Sequence, residues 1–397
     1  MSAPRRTALV LAGLVLLSFN LRPAAVSVGP VLAEVRRGLG LSGTEAGLLT
    51  SLPVLAFAVF GALAPTLARR TGLHRAITVS LVAVVLGLGG RAEVSDSTAF
   101  LALSALALAG MATANVLIPS LVKLHFPDRI GRATAIYTTA LAIGLTSAFL
   151  LTVPVSHAFG SWRAGLGVWS LTALVAIAPW LGLAAHDRHL ENGARSISFA
   201  DVARTRIGWA MAVFFGLQSL QAYSIFGWFA QLWRDSGYSA EEAGLLVAIV
   251  AGVSIPLSLW LPAAAARRTD QRGLIVTVIG CYLGGYALLL VDAHALAVPA
   301  ALLVGIGCCV FPVVLTLIGL RARTPDGTAA LSGFTQSLGY LIAAIGPFVI
   351  GTVYDATGHW TVPLWLLLAL VVPLLAVGTY AGRPAYLEDQ LGHSTDG

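Results

Sequence analysis

Glu45-Ala46-Gly47-Leu48-Leu49 returns 197 residues later as Glu242-Ala243-Gly244-Leu245-Leu246, and Ala68-Arg69-Arg70-Thr71 returns 198 residues later as Ala266-Arg267-Arg268-Thr269. The offset is half of the 397-residue chain. Pro65 with Pro262, Pro127-Asp128 with Pro325-Asp326 and Trp162 with Trp360 keep the same register. Self-similarity at a fixed period marks repeated architecture, so the chain reads as two copies of one unit. Each copy opens its second apolar run with a similar start signal, Ser42-Gly43-Thr44-Glu45 and Ser239-Ala240-Glu241-Glu242. Serine there accepts a bond from the third helical amide while glutamate reaches back, a capping box. That reading gives Glu45 and Glu242 a structural role in place of proton carriage.

Hydrophobic residues make up 57% of the chain and charged ones 11%, too little polar surface to cover a water-soluble body of this size. The fold class expected is therefore an all-α integral membrane protein. A helix needs roughly 20 residues to cross a hydrocarbon core of about 30 Å, and the apolar runs fit about twelve such helices. They fall near residues 8–35, 44–68, 76–92, 98–122, 133–156, 164–184, 208–232, 241–262, 273–291, 295–320, 328–352 and 361–381. The first run is too long for a signal-peptide core and lacks a clear cleavage site, so it stays in the mature protein. Two six-helix halves, 1–184 and 208–397, are joined by a polar cytoplasmic linker, 185–207, in which Ser198–Arg204 suits a short interfacial helix capped by Ser198. Duplicated halves of this kind build transporters in which substrate sits near the bilayer midplane where the copies meet.

Orientation follows the basic residues. With both termini cytoplasmic, eighteen of the twenty-four Lys and Arg lie in inner segments, among them Arg69, Arg70, Arg267 and Arg268; Arg36, Arg37, Arg91, Arg163 and Arg234 lie outside. The expected location is the plasma membrane, as a multi-pass cell inner membrane protein. The formal charge of +6 expresses this topology and attraction to anionic lipid, and it does not call for a nucleic-acid partner. Cys281, Cys308 and Cys309 fall inside the expected helices with neither disulfide nor metal spacing, so they read as small buried hydrophobes.

Arg22 is the single basic residue left within a span, in Asn20-Leu21-Arg22-Pro23. A charge at the bilayer centre costs about 2.5–3.5 kcal/mol on insertion scales, so it faces a cavity or partners. Its guanidinium offers donors in a fixed fork suited to planar anions, and Pro23 removes an amide and bends the helix. The alternative role for Arg22 is to cap carbonyls of a neighbouring broken helix. In the repeat register Asn20 corresponds to Gln218 and Arg22 to Leu220, so the amide recurs and the charge does not. Matched amides in two pseudo-symmetric halves are expected to face a common cavity, with Gln221 on the face of Gln218 and Tyr223 extending it. Asn115, Tyr137 with Thr138, and Gln336 with Tyr340 one turn on are further substrate-binding candidates. For each amide and phenol, helix–helix bonding is the competing use. Lys123 at a helix end suits snorkelling, and Trp228 suits packing or interface anchoring.

All eighteen acids and eight histidines fall in expected loops, tails or helix ends. No mid-membrane proton relay is in view, and the coupling ion is left open. Nothing spells a nucleophile with a base, paired carboxylates or a metal cluster at one depth, so neither an enzyme, nor a cofactor, nor a metal site is expected.

The loops Ala68–Arg75 and Ala266–Arg272 resemble the loop between helices 2 and 3 of the major facilitator superfamily, usually written with an Asp-Arg-x-Gly-basic-basic core. Arg69 stands where that acid is expected and Leu73 replaces a basic residue. Asn20-Leu21-Arg22-Pro23, Asn115–Lys123 with Phe126-Pro127-Asp128-Arg129, Gly216–Tyr223, and Leu331–Tyr340 followed by Ala344-Ile345-Gly346-Pro347 together resemble the cyanate/2-nitroimidazole transporter family of that superfamily. The resemblance runs through both halves in order. It implies a monomeric secondary transporter working by alternating access on a small polar or anionic compound. Arg22 is then the charge contact, Asn20, Gln218 and Gln221 are orienting donors, and Arg69, Arg70, Arg267, Arg268, Asp128 and Asp326 serve gating or topology. A drug or xenobiotic exporter of the same fold is the alternative; a membrane-embedded enzyme or a transport-fold sensor is the remote one.

Overall fold

The computed structural model describes residues 3–41, 43–184 and 197–392, and among these the regular structure is entirely helical. The chain opens with a helix in pieces: α1 (Ala3–Leu21), α2 (Pro23–Val26), a 3-10 turn over Gly29–Val31 and α3 (Leu32–Leu39). Gly40, at φ 64°, takes the left-handed conformation that stops α3. There follow α4 (Gly43–Thr71), α5 (Leu73–Glu93), α6 (Ser97–His125), α7 (Ile130–Ala158) and α8 (Trp162–Ala184). After the short α9 (Phe199–Ala203) come α10 (Arg206–Asp235), α11 (Ala240–Gly252), α12 (Ser254–Ala266) and α13 (Arg272–Asp292). The remainder is α14 (Ala297–Cys308), α15 (Val310–Leu320), α16 (Pro325–Thr357), α17 (Thr361–Ala381) and α18 (Leu387–Gly392).

Among the described residues, ten stretches are long and apolar enough to cross a bilayer, with α11–α12 and α14–α15 each forming one. The other two expected spans are the first run, of which Thr7–Leu21 is a shorter apolar helix, and α10. Gln218, Ser219, Gln221 and Ser224 interrupt the apolar run of α10. The two helices that fall short are thus repeat mates, and both carry candidate polar residues. Leu174 and Leu181 on α8, with Trp365 and Val372 on α17, leave large apolar faces exposed, as a lipid solvent requires.

The expected spans at 241–262 and 295–320 are each present as one stretch interrupted at a single residue, Val253 and Cys309, and the first run, 8–35, is interrupted at Arg22. Pro23, Pro256 and Pro312 follow those breaks. Proline has no amide and its ring clashes with the carbonyl four residues back, which is why the ladder is interrupted just ahead of it.

The chain forms two compact units. The first is Met1–Pro127, Ile136–Phe199 and Thr324–Gly333; the second is Asp128–Ala135, Ala200–Arg323 and Phe334–Gly397. Compared with halves cut at 184 and 208, the segments 128–135 and 324–333 have changed sides. In the first unit α5 packs on α6 and α8. Gly110 permits the α5–α6 approach, since a Cβ there would stand 2.3 Å from the Ser80 carbonyl oxygen. In the second unit α13 packs on α14 and α17, with α10 against α17.

The capping box at Ser239 is formed: Ser239 Oγ accepts the Glu242 amide at 3.2 Å, and Glu242 accepts the Ser239 amide at 2.9 Å. Its mate at Ser42 lies outside the described residues, while Glu45 accepts a bond from Ser97 Oγ at 2.7 Å. The expected interfacial helix is α9, where Asp201 pairs with Arg204 at 3.7 Å.

Candidate functional site

In the first unit the site is built on a broken helix. Pro23 leaves the Phe19 carbonyl, four residues back, without its intrahelical donor. Gly144 of α7 lies against that oxygen, and a Cβ at 144 would meet it at 2.0 Å. Arg22 sits at the break, φ −85° and ψ −42°, and its carbonyl accepts the Ala25 and Val26 amides at 3.0 and 3.1 Å. Its side chain is half-buried between the buried Leu21 and Pro23. Asn20, 1% exposed, was expected in a cavity lining. Both ends of its amide are instead held by helices: Nδ2 donates to the carbonyls of Leu16 at 2.8 Å and Thr172 at 3.2 Å, and Oδ1 accepts Thr172 Oγ1 at 2.6 Å. Asn20 thereby ties α1 to α8, immediately before the break.

Sequence reasoning missed Arg91, which it counted among the outer loop charges. Arg91 lies in the last turn of α5, 1% exposed, and donates to Ser27 Oγ at 2.9 Å, just beyond α2. A buried cation thus grips the far side of the break that carries Arg22. The available signal was its place at the edge of the apolar run 76–92, which reads equally well as a snorkelling position. Arg163, another counted outer charge, donates to the Ala92 and Val94 carbonyls at the end of α5. Asn115 on α6, with Tyr137 and Thr138 on α7, are buried in this unit.

The second unit uses the matching positions differently. Leu220, the register mate of Arg22, is 6% exposed and packs on α16, its Cγ 2.6 Å from where a Gly346 Cβ would stand. Gln221 was expected to line the cavity, but its Nε2 donates to the Leu367 carbonyl at 2.8 Å and its Oε1 accepts the Tyr286 hydroxyl at 2.5 Å. Its carboxamide is committed to α17 and α13. Gln218 differs: it is 1% exposed, and its one described hydrogen bond is from the adjacent Ser219, at 3.2 Å. No other helix claims its amide among the described residues. Gln336 and Tyr340 are buried one turn apart on α16. Tyr340 meets Phe215 edge-on at 5.1 Å between ring centres and Tyr223 at 6.4 Å, which places an aromatic wall beside Gln218 on α10. Trp228 donates to the Pro347 carbonyl at 2.8 Å, a packing role.

At the loops, Arg69 donates to the Ile197 carbonyl at 3.2 Å and to Thr66 at 3.1 Å, while Asp326 accepts the Ile197 amide at 3.1 Å. One peptide residue is held from both sides within the first unit. Arg70, Arg267, Arg268 and Asp128 are exposed. Arg321, counted as a loop charge, is 3% exposed and donates to the Ala381 carbonyl at 2.7 Å and to Gln271. Cys308 and Cys309 are buried free thiols, and no group of three or more His, Cys, Asp or Glu is placed to hold a metal among the described residues.

Apolar helical spans and a duplicated register define a multi-pass membrane protein built from two related halves. The chain belongs to the Major Facilitator Superfamily, whose family model matches residues 9–347. It is similar to the uncharacterized transporter YycB of Bacillus subtilis (strain 168), 36% identical over 381 residues, covering 95% of this chain and 94% of that one. It is 32% identical to the 2-nitroimidazole transporter of Escherichia coli (strain K12), covering 94% and 95%, and 27% identical to the cyanate transport protein CynX of the same organism, covering 94% and 96%. The crystal structure of the superfamily transporter FucP in the outward conformation matches with a TM-score of 0.75 at 15% identity, over 94% of this chain and 98% of that one. The family and these relatives make the chain a transporter rather than an enzyme, and its about twelve membrane helices fit that fold.

Proposed function

We propose that the chain is a secondary transporter of a small, planar polar compound, a cyanate-like anion or a small nitroheterocycle, working by alternating access in the inner membrane with both termini cytoplasmic. The observation that carries this reading is Arg22: a half-buried guanidinium at a proline break in the first helix, with its register mate given to packing. Arg22 is the charge contact. Gln218, whose amide no other helix engages among the described residues, is the orienting donor, and Gln336, Tyr340, Asn115 and Tyr137 are secondary lining. Asn20 and Gln221 position the two helices. The basic loop residues Arg69, Arg70, Arg267 and Arg268, with Asp128 and Asp326, set orientation and gating. The relatives named for 2-nitroimidazole and cyanate support a small planar substrate.

A drug exporter is the second reading, favoured by the Phe215–Tyr340–Tyr223 wall. Thermal unfolding of the purified protein with cyanate, 2-nitroimidazole and unrelated apolar aromatics separates them, since a ligand of the folded state raises apparent stability. Stabilisation by cyanate or 2-nitroimidazole, absent in Arg22→Ala, supports the first reading. Inert cyanate with broad stabilisation by apolar aromatics establishes the second.

A further inference from the structure

The second unit holds a groove of about 650 Å³ that the transport reading leaves unused. Leu257, Trp260 and Leu261 from α12, Leu274 and Val278 from α13 and Ile306 from α14 line it, with Arg268 and Asp270 at its mouth. A shallower hollow of about 280 Å³ continues past Trp260 to Arg267 and Arg268. Such volumes suit part of a ligand, whose pockets run about 300–1,000 Å³. Leu261, Leu274 and Val278 form a buried floor, and the rim is open: Trp260 is 56% exposed and Leu259, in the shallower hollow, 53%. In the first unit the corresponding α4 and α5 pack against one another, whereas α12 and α13 form no comparable interface.

The carboxylate at the mouth is matched, and the neighbouring arginines are not. Asp270 is taken by Arg272, whose Nε and Nη2 donate to its carboxylate at 2.8 and 2.5 Å. Those bonds hold the Asp270 carboxyl down at about 2, so it is ionised and already matched. Arg267 and Arg268 are exposed, and neither has a carboxylate partner among the described residues. Two uncompensated guanidinium groups above an apolar trough complement one molecule class in a bilayer.

We propose that this groove binds an anionic glycerophospholipid of the cytoplasmic leaflet, its phosphodiester between Arg267 and Arg268 and an acyl chain against Trp260, Leu274 and Val278. Guanidinium groups recognise phosphate oxygens through paired donors, and basic pockets between membrane helices on the cytoplasmic side select acidic headgroups. A second copy of the chain is disfavoured as occupant, because a two-fold contact sets the same arginines against each other. The matching loop of the first unit is not equivalent, since Arg69 is committed to Ile197 and Thr66.

The test titrates the detergent-purified full chain with phosphatidylglycerol, phosphatidylcholine or sodium phosphate, following thermal unfolding and, by native mass spectrometry, retained lipid. Wild type retains one phosphatidylglycerol and is stabilised by it above the phosphatidylcholine level. The double variant Arg267→Gln/Arg268→Gln binds it about thirtyfold more weakly, with unchanged unfolding in phosphatidylcholine, and Arg70→Gln keeps the effect. Equal stabilisation by phosphatidylcholine, wild-type behaviour of the double glutamine variant, or the full effect from sodium phosphate alone overturns the proposal.

Discussion

The first helix and its repeat mate α10 share a register and little else. One is broken into α1, α2, a 3-10 turn and α3; the other runs unbroken for 30 residues from Arg206 to Asp235. Asn20, Arg22 and Pro23 correspond to Gln218, Leu220 and Gln221. In the first half the position that bends the chain is proline; in the second it is an amide bonding α17 and α13. The breaks are then reversed, because Pro256 and Pro312 interrupt the second half where Ala58 and Ala114 leave α4 and α6 continuous. Within one shared register the copies differ in where their prolines fall and in the arginine at the first bend.

That contrast is broken most severely by closing the space at the first bend. Gly144→Ala puts a methyl group on the Phe19 backbone oxygen, and a loss of about 3 kcal/mol is expected in thermal or denaturant unfolding. Gly346→Ala, whose nearest neighbours are the Leu220 and Ser224 side chains, is expected to cost about 1 kcal/mol; equal costs would mean that the bend is not specially held. Gln221→Leu should lose about 1–2 kcal/mol of stability with transport reduced only in proportion to folded protein. Gln218→Leu should do the reverse, and solute flux per folded molecule separates the two. Ser239→Ala, which removes the formed cap, should cost about 1 kcal/mol and leave the substrate KM unchanged. The smallest effect is in pH. The Asp270 carboxyl, lowered to about 2 by Arg272, keeps its pairing above the ordinary carboxylate range and loses it only as pH falls toward that value. Phosphatidylglycerol stabilisation should therefore be flat between about pH 5 and 8.

Much of the scaffold was legible before any coordinates. Apolar run lengths gave the spans, and Ser239 with Glu242 gave a cap, because both are local in sequence. The breaks were not, since Pro53, Pro65, Pro119 and Pro154 lie inside continuous helices while Pro23, Pro256 and Pro312 follow interruptions. Whether a proline breaks a helix depends on what meets the freed carbonyl, as Gly144 does at Phe19. The roles of Asn20 and Gln221 were hidden for the same reason, because Thr172, Tyr286 and Leu367 lie between 65 and 152 residues away in the chain. Arg91 looked like a loop charge until Ser27 was seen beside it.

Arg22, whose register mate is the apolar Leu220, is the charge proposed to meet substrate. Proteoliposome uptake of radiolabelled cyanate and 2-nitroimidazole by wild type, Arg22→Ala and Arg22→Lys tests it most directly. Saturable flux that collapses in Arg22→Ala and is poorly restored in Arg22→Lys, with both variants folded, is the predicted result. Wild-type flux in both variants would contradict it.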